Sequence, residues 1–265
     1  MSETLLTVID LQKSYRDTEK ELAAVRGVSF RLQDGEILGI VGESGCGKST
    51  LARCIVRLLR PDAGQILWQG RDISRLPERE LRPLRSDIQM VFQNPYASFN
   101  PRFTIETALQ RAGRQFGLSG AAYEARRSEL MAHCGLEEEL LYRRPEQLSG
   151  GQLQRFALVR ALLPNPRLLI ADEAVSALDV AVQEPILALF RSLRDRYGIA
   201  VLFISHDLTV VRSLCQRVLV MYRGQIVEEG LTEEIFNRPQ HPYTKELLAA
   251  RLHFIQEIEQ GEKTE

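Results

Sequence analysis

The sequence predicts an α/β protein with a mostly parallel sheet and a helical subdomain inserted into it. Continuous apolar runs at 37–41, 168–172 and 200–205 have the length and composition of buried strands. Segments with apolar residues at helical spacing lie between these runs. Strands that alternate with helices imply parallel pairing, and this alternation is the main basis for the predicted fold class.

The remaining elements follow from local patterns taken in chain order. The predicted strands cover residues 5–11, 25–32, 37–41, 67–68, 88–92, 168–172, 200–205, 217–222 and 225–229. The predicted helices cover the stretch after residue 49 as far as Pro61, parts of 104–134, 149–163, 180–197 and a short segment after His206. Pro185 lies about one turn inside the 180–197 helix, where a proline costs roughly 3 kcal/mol. We therefore expect that helix either to begin later or to kink.

The change in pattern after Gln93 predicts the domain organisation. Residues 104–134 are rich in Ala, Leu, Glu and Arg, whereas strand patterns return only at Leu168. We expect an α/β core formed by 1–93 and 161–265, with residues 94–160 forming an inserted helical subdomain.

Composition excludes several classes of protein. The chain has 265 residues and a net charge of −1, with basic residues spread along it, so a nucleic-acid partner is not indicated. Its cysteines form no C-x-x-C pair, which argues against a metal site or a disulfide framework and favours a reducing cytosol. No secretion signal and no apolar run of roughly 18 residues is seen. The cysteines are Cys46, Cys54, Cys134 and Cys215.

A glycine-rich stretch after the strand at 37–41 fits the phosphate-binding pattern G-x-x-x-x-G-K-[ST]. It reads Gly42, Glu43, Ser44, Gly45, Cys46, Gly47, Lys48 and Ser49, with Thr50 next. Backbone N–H groups of such a loop, with the helix N-terminus behind it, form a concave anion site. Lys48 would supply charge to the β- and γ-phosphates, and the Ser49 hydroxyl would bind Mg²⁺. The alternatives are a glycine turn without a ligand and, for Cys46, a nucleophile.

Polar side chains end three further strands. Asp172 and Glu173 follow an apolar strand; Asp172 would hold Mg²⁺, and Glu173 would polarise a water molecule in line with the γ-phosphate. His206 ends the next strand and would sense that phosphate, while Gln93 would touch both Mg²⁺ and the helical insert. Because ligands of open α/β sheets bind at the carboxyl ends of strands, we expect these groups to converge. The alternatives are a solvated strand end or a helix cap for Asp172-Glu173, and a structural histidine for His206.

A second glycine-rich element, Leu148-Ser149-Gly150-Gly151-Gln152, opens the helix that Ser149 would cap. A nucleotide-binding protein with a single site has no need of it. The two elements together indicate two ATP-binding surfaces on opposite sides of one chain, and therefore a chain that works as half of a pair.

This set of motifs resembles the ATP-binding subunits of ABC transporters across essentially the whole chain. The matching residues, in the family's order and spacing, are 42–50, Gln93, 148–152, Asp172-Glu173, Ser176-Ala177-Leu178-Asp179 and His206. The resemblance implies an α/β P-loop NTPase (RecA-like) core with an N-terminal antiparallel β subdomain and an inserted helical subdomain. It also implies ATP and Mg²⁺ as ligands, with Ser49, Gln93 and Asp172 at the metal, and Tyr15 stacked on adenine; a surface tyrosine is the alternative.

The resemblance further implies a head-to-tail dimer with an identical or paralogous ATP-binding subunit. Each ATP would lie between the phosphate loop of one subunit and Ser149, Gly150, Gly151 and Gln152 of the other, with Asp179 crossing the interface. Two membrane permeases would contact residues 94–134 through short coupling helices, and a solute-binding protein would act indirectly. The subunit would sit peripherally on the cytoplasmic face of the inner membrane.

Two stretches resemble the peptide and nickel importer group. They are Gln93 to Arg102, which reads QNPYASFNPR, and His241 to Leu248, which reads HPYTKELL. The short end after the second stretch resembles the nickel or metallophore branch. Ala174 departs from the proline that usually follows the glutamate, which should loosen that turn slightly. Cargo therefore stays open between short peptides and nickel or metal chelates.

Two other functions are weighed against import. One is an ABC-type ATPase without transport, acting in DNA repair, translation or as an accessory of phosphonate metabolism. Repair members carry long coiled coils and translation members carry two cassettes, neither of which is seen, whereas the phosphonate accessory is a similar single cassette. The other is a regulatory nucleotide-binding module, which would be expected to lack Glu173 or His206.

Overall fold

The computed structural model describes residues 3–16, 21–175 and 180–250, which form two sheets flanked by helices. The strands are β1 (Thr4–Arg16), β2 (Glu21–Gln33), β3 (Ile37–Val41), β4 (Ala63–Trp68), β5 (Arg71–Asp72), β6 (Ile88–Val91), β7 (Leu168–Asp172), β8 (Ala200–Ile204), β9 (Arg217–Tyr222) and β10 (Gln225–Leu231). The helices are α1 (Lys48–Ile55), α2 (Glu78–Leu81), α3 (Ile105–Gln115), α4 (Gly120–His133), α5 (Gly150–Leu162), α6 (Val180–Tyr197), α7 (Leu208–Leu214), α8 (Thr232–Asn237) and α9 over 242–250.

The two sheets differ in strand direction. The first is antiparallel with the order β2-β1-β4-β5. The second has the order β10-β9-β3-β8-β7-β6, and all its pairs are parallel except the β9–β10 hairpin. The predicted α/β class with a mostly parallel sheet is therefore confirmed.

Both faces of the parallel sheet are buried, as the continuous apolar runs predicted. Alternate residues of each strand point to opposite faces, so β8 sends Val201 and Phe203 into one core and Leu202 and Ile204 into the other. The first core also contains residues of α5, α6 and α7. The second contains residues of α1 and of the antiparallel sheet, among them Leu51. The parallel sheet is thus the middle layer of the molecule.

The chain between β6 and β7 forms helices and short 3-10 turns. Helix α5 contacts both α3 and α4. Thr104 caps α3 because its side-chain oxygen accepts a hydrogen bond from the N–H of Thr107. The exact boundaries of the helical subdomain, 94–160, stay a prediction.

Some elements differ in length from the sequence prediction. Strands β1 and β2 are longer than expected, and α8 was not predicted. Helix α1 ends at Ile55 rather than near Pro61, because Arg57 has a left-handed φ of 56° and its guanidinium donates to the carbonyls of Ile73 and Ser74. Helix α6 includes Pro185 within its length, so the alternative of a later start is wrong.

In the described ranges, the helices are too short or too polar for any of them to span a bilayer.

The packing of the first core can be tested at Phe190 and Phe203. Their rings meet edge to face with the centroids 5.4 Å apart, and both side chains are fully buried. We expect Phe203→Ala to lower the free energy of unfolding by about 3–5 kcal/mol, because the cavity cannot fully collapse. Urea denaturation measures this change. Phe203→Leu is the control and should cost less, and a loss below about 1 kcal/mol in the alanine variant would contradict this account of the core.

Candidate functional site

Four loops lie next to one another at one edge of the parallel sheet. Because β3, β8, β7 and β6 are neighbours and parallel, their carboxyl ends share that edge. In spatial order these ends lead to the glycine-rich loop at 42–49, to His206, to Asp172-Glu173 and to Gln93. The predicted convergence of these loops therefore follows from the observed strand order.

The glycine-rich loop has a backbone shape that only glycine allows at two positions. Gly42 has a φ of 151° and Gly47 a φ of 111°. A Cβ atom on Gly42 would lie 2.1 Å from the carbonyl oxygen of Met221, and one on Gly47 would lie 2.1 Å from that of Ala24. These close approaches explain why the loop carries glycine where the chain turns toward its neighbours.

Lys48 follows the loop and is buried despite its charge. Its ammonium donates hydrogen bonds to the carbonyl oxygens of Gly42 at 2.8 Å and Glu43 at 2.7 Å. These bonds compensate part of the cost of burying the charge. The ammonium therefore lies against the start of the loop, beside backbone N–H groups that suit an anion.

Asp172 and Ser49 lie side by side, one from β7 and one from α1. The Ser49 hydroxyl donates to Asp172 Oδ1 at 3.0 Å. Burial raises the pKa of the Asp172 carboxyl, and the Glu173 carboxylate adds to the rise, while the bond from Ser49 opposes it. A buried carboxylate beside a hydroxyl is a donor set that suits Mg²⁺, and a cation would offset the burial of the charge. These two residues therefore fit the predicted metal.

Glu173 lies in a strained turn at the end of β7. Its φ is 50°, in the left-handed region, and its N–H donates to the carbonyl oxygen of Ile204 at 2.9 Å. Gln93 Nε2 donates to Glu173 Oε2 at 2.6 Å, and His206 Nδ1 lies 3.5 Å from Oε1. The carboxylate is thus contacted by groups from two neighbouring strand ends. Such an arrangement can orient a general base.

The second glycine-rich element begins α5 as predicted. Ser149 Oγ accepts from the N–H of Gln152 at 3.2 Å, and Gln152 Oε1 accepts from the N–H of Ser149 at 3.0 Å. This reciprocal pair is a capping box. It leaves the first turn of α5 as a helix N-terminus that favours negative charge.

Within one chain this element lies beside Glu173 rather than beside the phosphate loop. Gly150 and Glu173 both line a cleft of about 440 Å³, together with Gln93, Asn94, Pro95, Tyr96, Gln154 and Ala174. Among residues 3–16, 21–175 and 180–250, no hydrogen bond or ion pair joins 148–152 to 42–50. Within one chain, therefore, the two glycine-rich elements are not joined into a single binding site by these contacts.

Two further residues were predicted to belong to the site, Tyr15 and Asp179. Tyr15 is partly exposed, and its hydroxyl lies 3.3 Å from Thr50 Oγ1, which places it close to the end of the phosphate loop. Asp179, with the rest of 176–179, lies outside the described residues.

Three residues near the site were missed from the sequence. The Tyr96 hydroxyl donates to the carbonyl oxygen of Leu148 at 3.1 Å, and the buried amide of Gln154 lines the cleft beside Glu173. The third is Tyr243, whose hydroxyl meets the N–H of Glu43. Tyr96 and Tyr243 lie in the two stretches that resemble the peptide and nickel importer group. The sequence pattern therefore marked both residues, but it did not predict that they contact the site.

Cys46 does not have the surroundings of a nucleophile. It is 7% exposed, and burial raises the pKa of its thiol, although the nearby Lys48 ammonium opposes the rise. All four cysteines are free and buried. The interpretation of Cys46 as a small loop residue agrees with this geometry.

Comparisons with known proteins all match this chain to ATP-binding proteins of transporters. A family model described as ABC transporter matches residues 25–176. The chain is 46% identical over 233 residues to the oligopeptide transport ATP-binding protein OppF of Salmonella typhimurium, covering 87% of this chain and 70% of that protein. It is 44% identical over 257 residues to the oligopeptide transport ATP-binding protein AppF of Bacillus subtilis, covering 94% and 78%.

The structural comparison agrees with the sequence comparison. The ATP-binding cassette MJ0796, solved as a dimer in a post-hydrolysis state bound to ADP and Pi, superposes with a TM-score of 0.80 and 30% identity. The match covers 86% of this chain and 99% of that one. The predicted P-loop NTPase fold is therefore confirmed.

A test of the Cys46 interpretation is Cys46→Ala, which removes the thiol but keeps the backbone N–H of the loop. We expect ATP turnover within about twofold of the wild type, because a buried, protonated thiol takes no part in the reaction. Steady-state phosphate release measures this rate. Cys134→Ala is the matched control, since that thiol is equally buried but far from the loop in sequence. A hundredfold loss confined to Cys46→Ala would instead indicate a covalent role.

Proposed function

The chain belongs to the ABC transporter family and hydrolyses ATP, and from this premise we propose that it energises the import of short peptides through separate membrane permeases. The observation that carries the catalytic part of the proposal is the position of Glu173, held by Gln93 and His206 beside the Ser49–Asp172 pair. These groups come from four separate loops at one sheet edge, which is where a reacting phosphate would lie.

The phosphate loop binds the triphosphate of ATP in this proposal. Backbone N–H groups of the loop and the N-terminus of α1 would bind the phosphates, and the Lys48 ammonium would balance their charge. Tyr15 stacks on adenine, supported by its exposed ring near Thr50.

Ser49 and Asp172 would hold Mg²⁺, with Gln93 nearby. When bound, the ion neutralises charge that develops on the β- and γ-phosphates. No cluster of three or more His, Cys, Asp or Glu side chains in the described ranges could hold a metal alone, which fits an ion that takes much of its coordination from water and substrate.

Glu173 is the proposed general base. Its carboxylate accepts a hydrogen bond and then the proton from a water molecule whose oxygen attacks the γ-phosphorus, while the bond from the γ-phosphorus to the bridging oxygen breaks to give ADP and phosphate. Gln93 orients this carboxylate through the 2.6 Å bond, and His206 lies 3.5 Å from it. At the same sheet edge, His206 would also face the γ-phosphate and sense its removal.

A second ATP-binding subunit, identical or paralogous, completes the site. Its Ser149, Gly150, Gly151 and Gln152 would present a helix N-terminus to the γ-phosphate. The proposal is supported by the position of 148–152 within one copy, where Gly150 lines the cleft beside Glu173 and, among the described residues, no hydrogen bond or ion pair joins this segment to 42–50. The dimeric form of the cassette MJ0796 also supports it.

The permeases would dock on a groove of about 410 Å³ between α3, α5 and the end of β6. Apolar side chains line much of it, among them Met90, Phe92, Phe116 and Leu58, which is 55% exposed. Three arginines, Arg85, Arg111 and Arg160, also line it. A groove that combines apolar side chains with positive charge suits a short amphipathic helix from a membrane subunit. The groove lies where the proposed subdomain 94–160 borders the core. Docking there would hold the chain peripherally on the cytoplasmic face of the inner membrane.

Short peptides are the cargo that the comparisons favour. OppF and AppF carry oligopeptide transport in their names, and a glutathione import ATP-binding protein, GsiA of Salmonella choleraesuis, is 48% identical over 232 residues, covering 87% of this chain and 37% of that protein. Nickel and metallophore cargo stays a prediction from the sequence.

Transport into vesicles that contain the full complex tests the cargo. We expect uptake of a labelled tripeptide when ATP is present on the side of the membrane where this subunit lies. Uptake of a nickel chelate instead of the tripeptide would overturn the peptide assignment.

A test of the catalytic assignment is Glu173→Gln, which keeps the size of the side chain but removes its basicity. We expect ATP to bind with near-normal affinity while hydrolysis falls by about a hundredfold or more, because the water molecule loses its base. A non-hydrolysing pair of subunits should then accumulate as a stable dimer with ATP, seen by size-exclusion chromatography. Near-normal turnover in the assembled complex would refute the role of Glu173.

A test of the phosphate-loop assignment is Lys48→Ala. We expect the Kd for ATP to rise by about tenfold or more, because the charge that balances the phosphates is lost. Isothermal titration calorimetry measures the affinity, and Lys13→Ala, which removes a lysine paired with Asp62 outside the loop, is the control. Unchanged ATP affinity in Lys48→Ala would contradict the assignment.

A further inference from the structure

The C-terminal part of the chain contacts the back of the phosphate loop at two points. The backbone N–H of Glu43 donates to the hydroxyl of Tyr243 at 3.0 Å, across 200 residues of sequence. The backbone N–H of Gly224, in the β9–β10 turn, donates to the carbonyl oxygen of Cys46 at 2.9 Å. Both ends of the loop's variable part are therefore held by residues that follow β9.

Tyr243 is fixed in place by packing. Its side chain is buried, and its ring stacks on that of Tyr222 with the centroids 4.1 Å apart and the planes 28° from parallel. Tyr222 ends β9, which pairs with β3 directly before the loop, where Val41 lies opposite Val220. The Tyr243 ring is thus anchored to the same strand pair from which the loop emerges.

The turn before α9 is fixed to the sheet as well. The Glu228 carboxylate, in β10, accepts hydrogen bonds from the N–H of Gln240 at 2.7 Å and from that of His241 at 3.0 Å. His241 Nδ1 in turn accepts from the N–H of Tyr243 at 3.2 Å. These bonds give the HPYT stretch a defined geometry, since the N–H of His241 is bound to the sheet and that of Tyr243 to the His241 ring.

We propose that Tyr243 is a positioning residue for ATP binding, which fixes the first peptide of the phosphate loop from behind. The proposal rests on the proposed function only in that the loop at 42–49 binds the nucleotide. It gives the HPYT stretch a role in the site that its position near the end of the sequence does not reveal.

The first peptide of the loop joins the carbonyl of Gly42 to the N–H of Glu43. Its N–H is held by Tyr243, and its carbonyl oxygen accepts from the Lys48 ammonium at 2.8 Å. When Lys48 turns to the phosphates of a bound nucleotide, its bond to Gly42 is lost or weakened. The Tyr243 hydroxyl then remains as the side-chain contact that holds this peptide. A loop that is already held in the binding shape loses less conformational freedom on binding.

The hydroxyl of Tyr243 is also suited to this task. Burial raises the pKa of Tyr243, so the group stays neutral at physiological pH and can accept from the Glu43 N–H. Removal of the hydroxyl leaves the ring, its stacking on Tyr222 and the packing of α9 intact. The hydrogen bond can therefore be tested apart from the hydrophobic contacts.

The experiment is Tyr243→Phe in the full chain, with ATP affinity measured by isothermal titration calorimetry. We expect the Kd for ATP to rise about fivefold, which corresponds to about 1 kcal/mol at 1.4 kcal/mol per tenfold change. The assembled complex should keep its kcat at saturating ATP within about twofold while its KM for ATP rises, because no group at the reacting phosphate changes. Tyr222→Phe is the matched control, since it removes the hydroxyl of the stacked partner, and it should leave both values unchanged.

A second measurement separates positioning from general stability. Hydrogen exchange should become faster in the peptide that contains Glu43 in Tyr243→Phe, while the thermal midpoint changes little, by about 2 °C or less. A Kd within about 1.5-fold of the wild type, or unchanged exchange at Glu43, would overturn the proposal. Lys48→Ala distinguishes the two levels. If it weakens ATP binding and Tyr243→Phe does not, only the role of Tyr243 fails, whereas if neither does, the loop is not the ATP site.

Discussion

The parallel pairing of β6, β7, β8 and β3 is the constraint on which the rest of the site depends. Parallel neighbours bring their carboxyl ends to one edge, so residues far apart in sequence become adjacent without any long loop. The bond from the N–H of Glu173 to the carbonyl oxygen of Ile204 extends this pairing past the end of β7. Because the sheet is buried on both faces, its strand ends form a rigid base for the polar groups above it.

The strained parts of the backbone are supported by elements that take no part in the chemistry. Gly42 and Gly47 come so close to the carbonyls of Met221 and Ala24 that a side chain is excluded. Glu173 keeps a positive φ because its N–H is bound to the neighbouring strand. The stabilisation of the loop is thus spread over β2, β9 and the C-terminal helix. A local motif therefore needs much of the chain to hold its shape.

The charged and polar groups of the proposed site lie on two separate surfaces of the chain. One surface carries a buried lysine, a hydroxyl and a carboxylate pair, where the phosphates would bind in the proposed function. On the other, the capping box at Ser149 and Gln152 leaves a helix N-terminus with positive character. The proposed dimer brings these two surfaces over one ATP, and the γ-phosphate is the group that both would contact. In this proposal, removal of the γ-phosphate would change the affinity between the subunits.

Local patterns were enough to predict the buried strands, the cap at Ser149 and the residue types proposed for the site, because each depends on neighbours within a few residues. The contact of Gln93 with Glu173, the end of α1 at Ile55 and the bond between Tyr243 and Glu43 are seen only in the folded chain. Such contacts depend on strand order and on packing between elements up to 200 residues apart. Local patterns predict that a strand or helix forms, but they do not encode which element lies beside it.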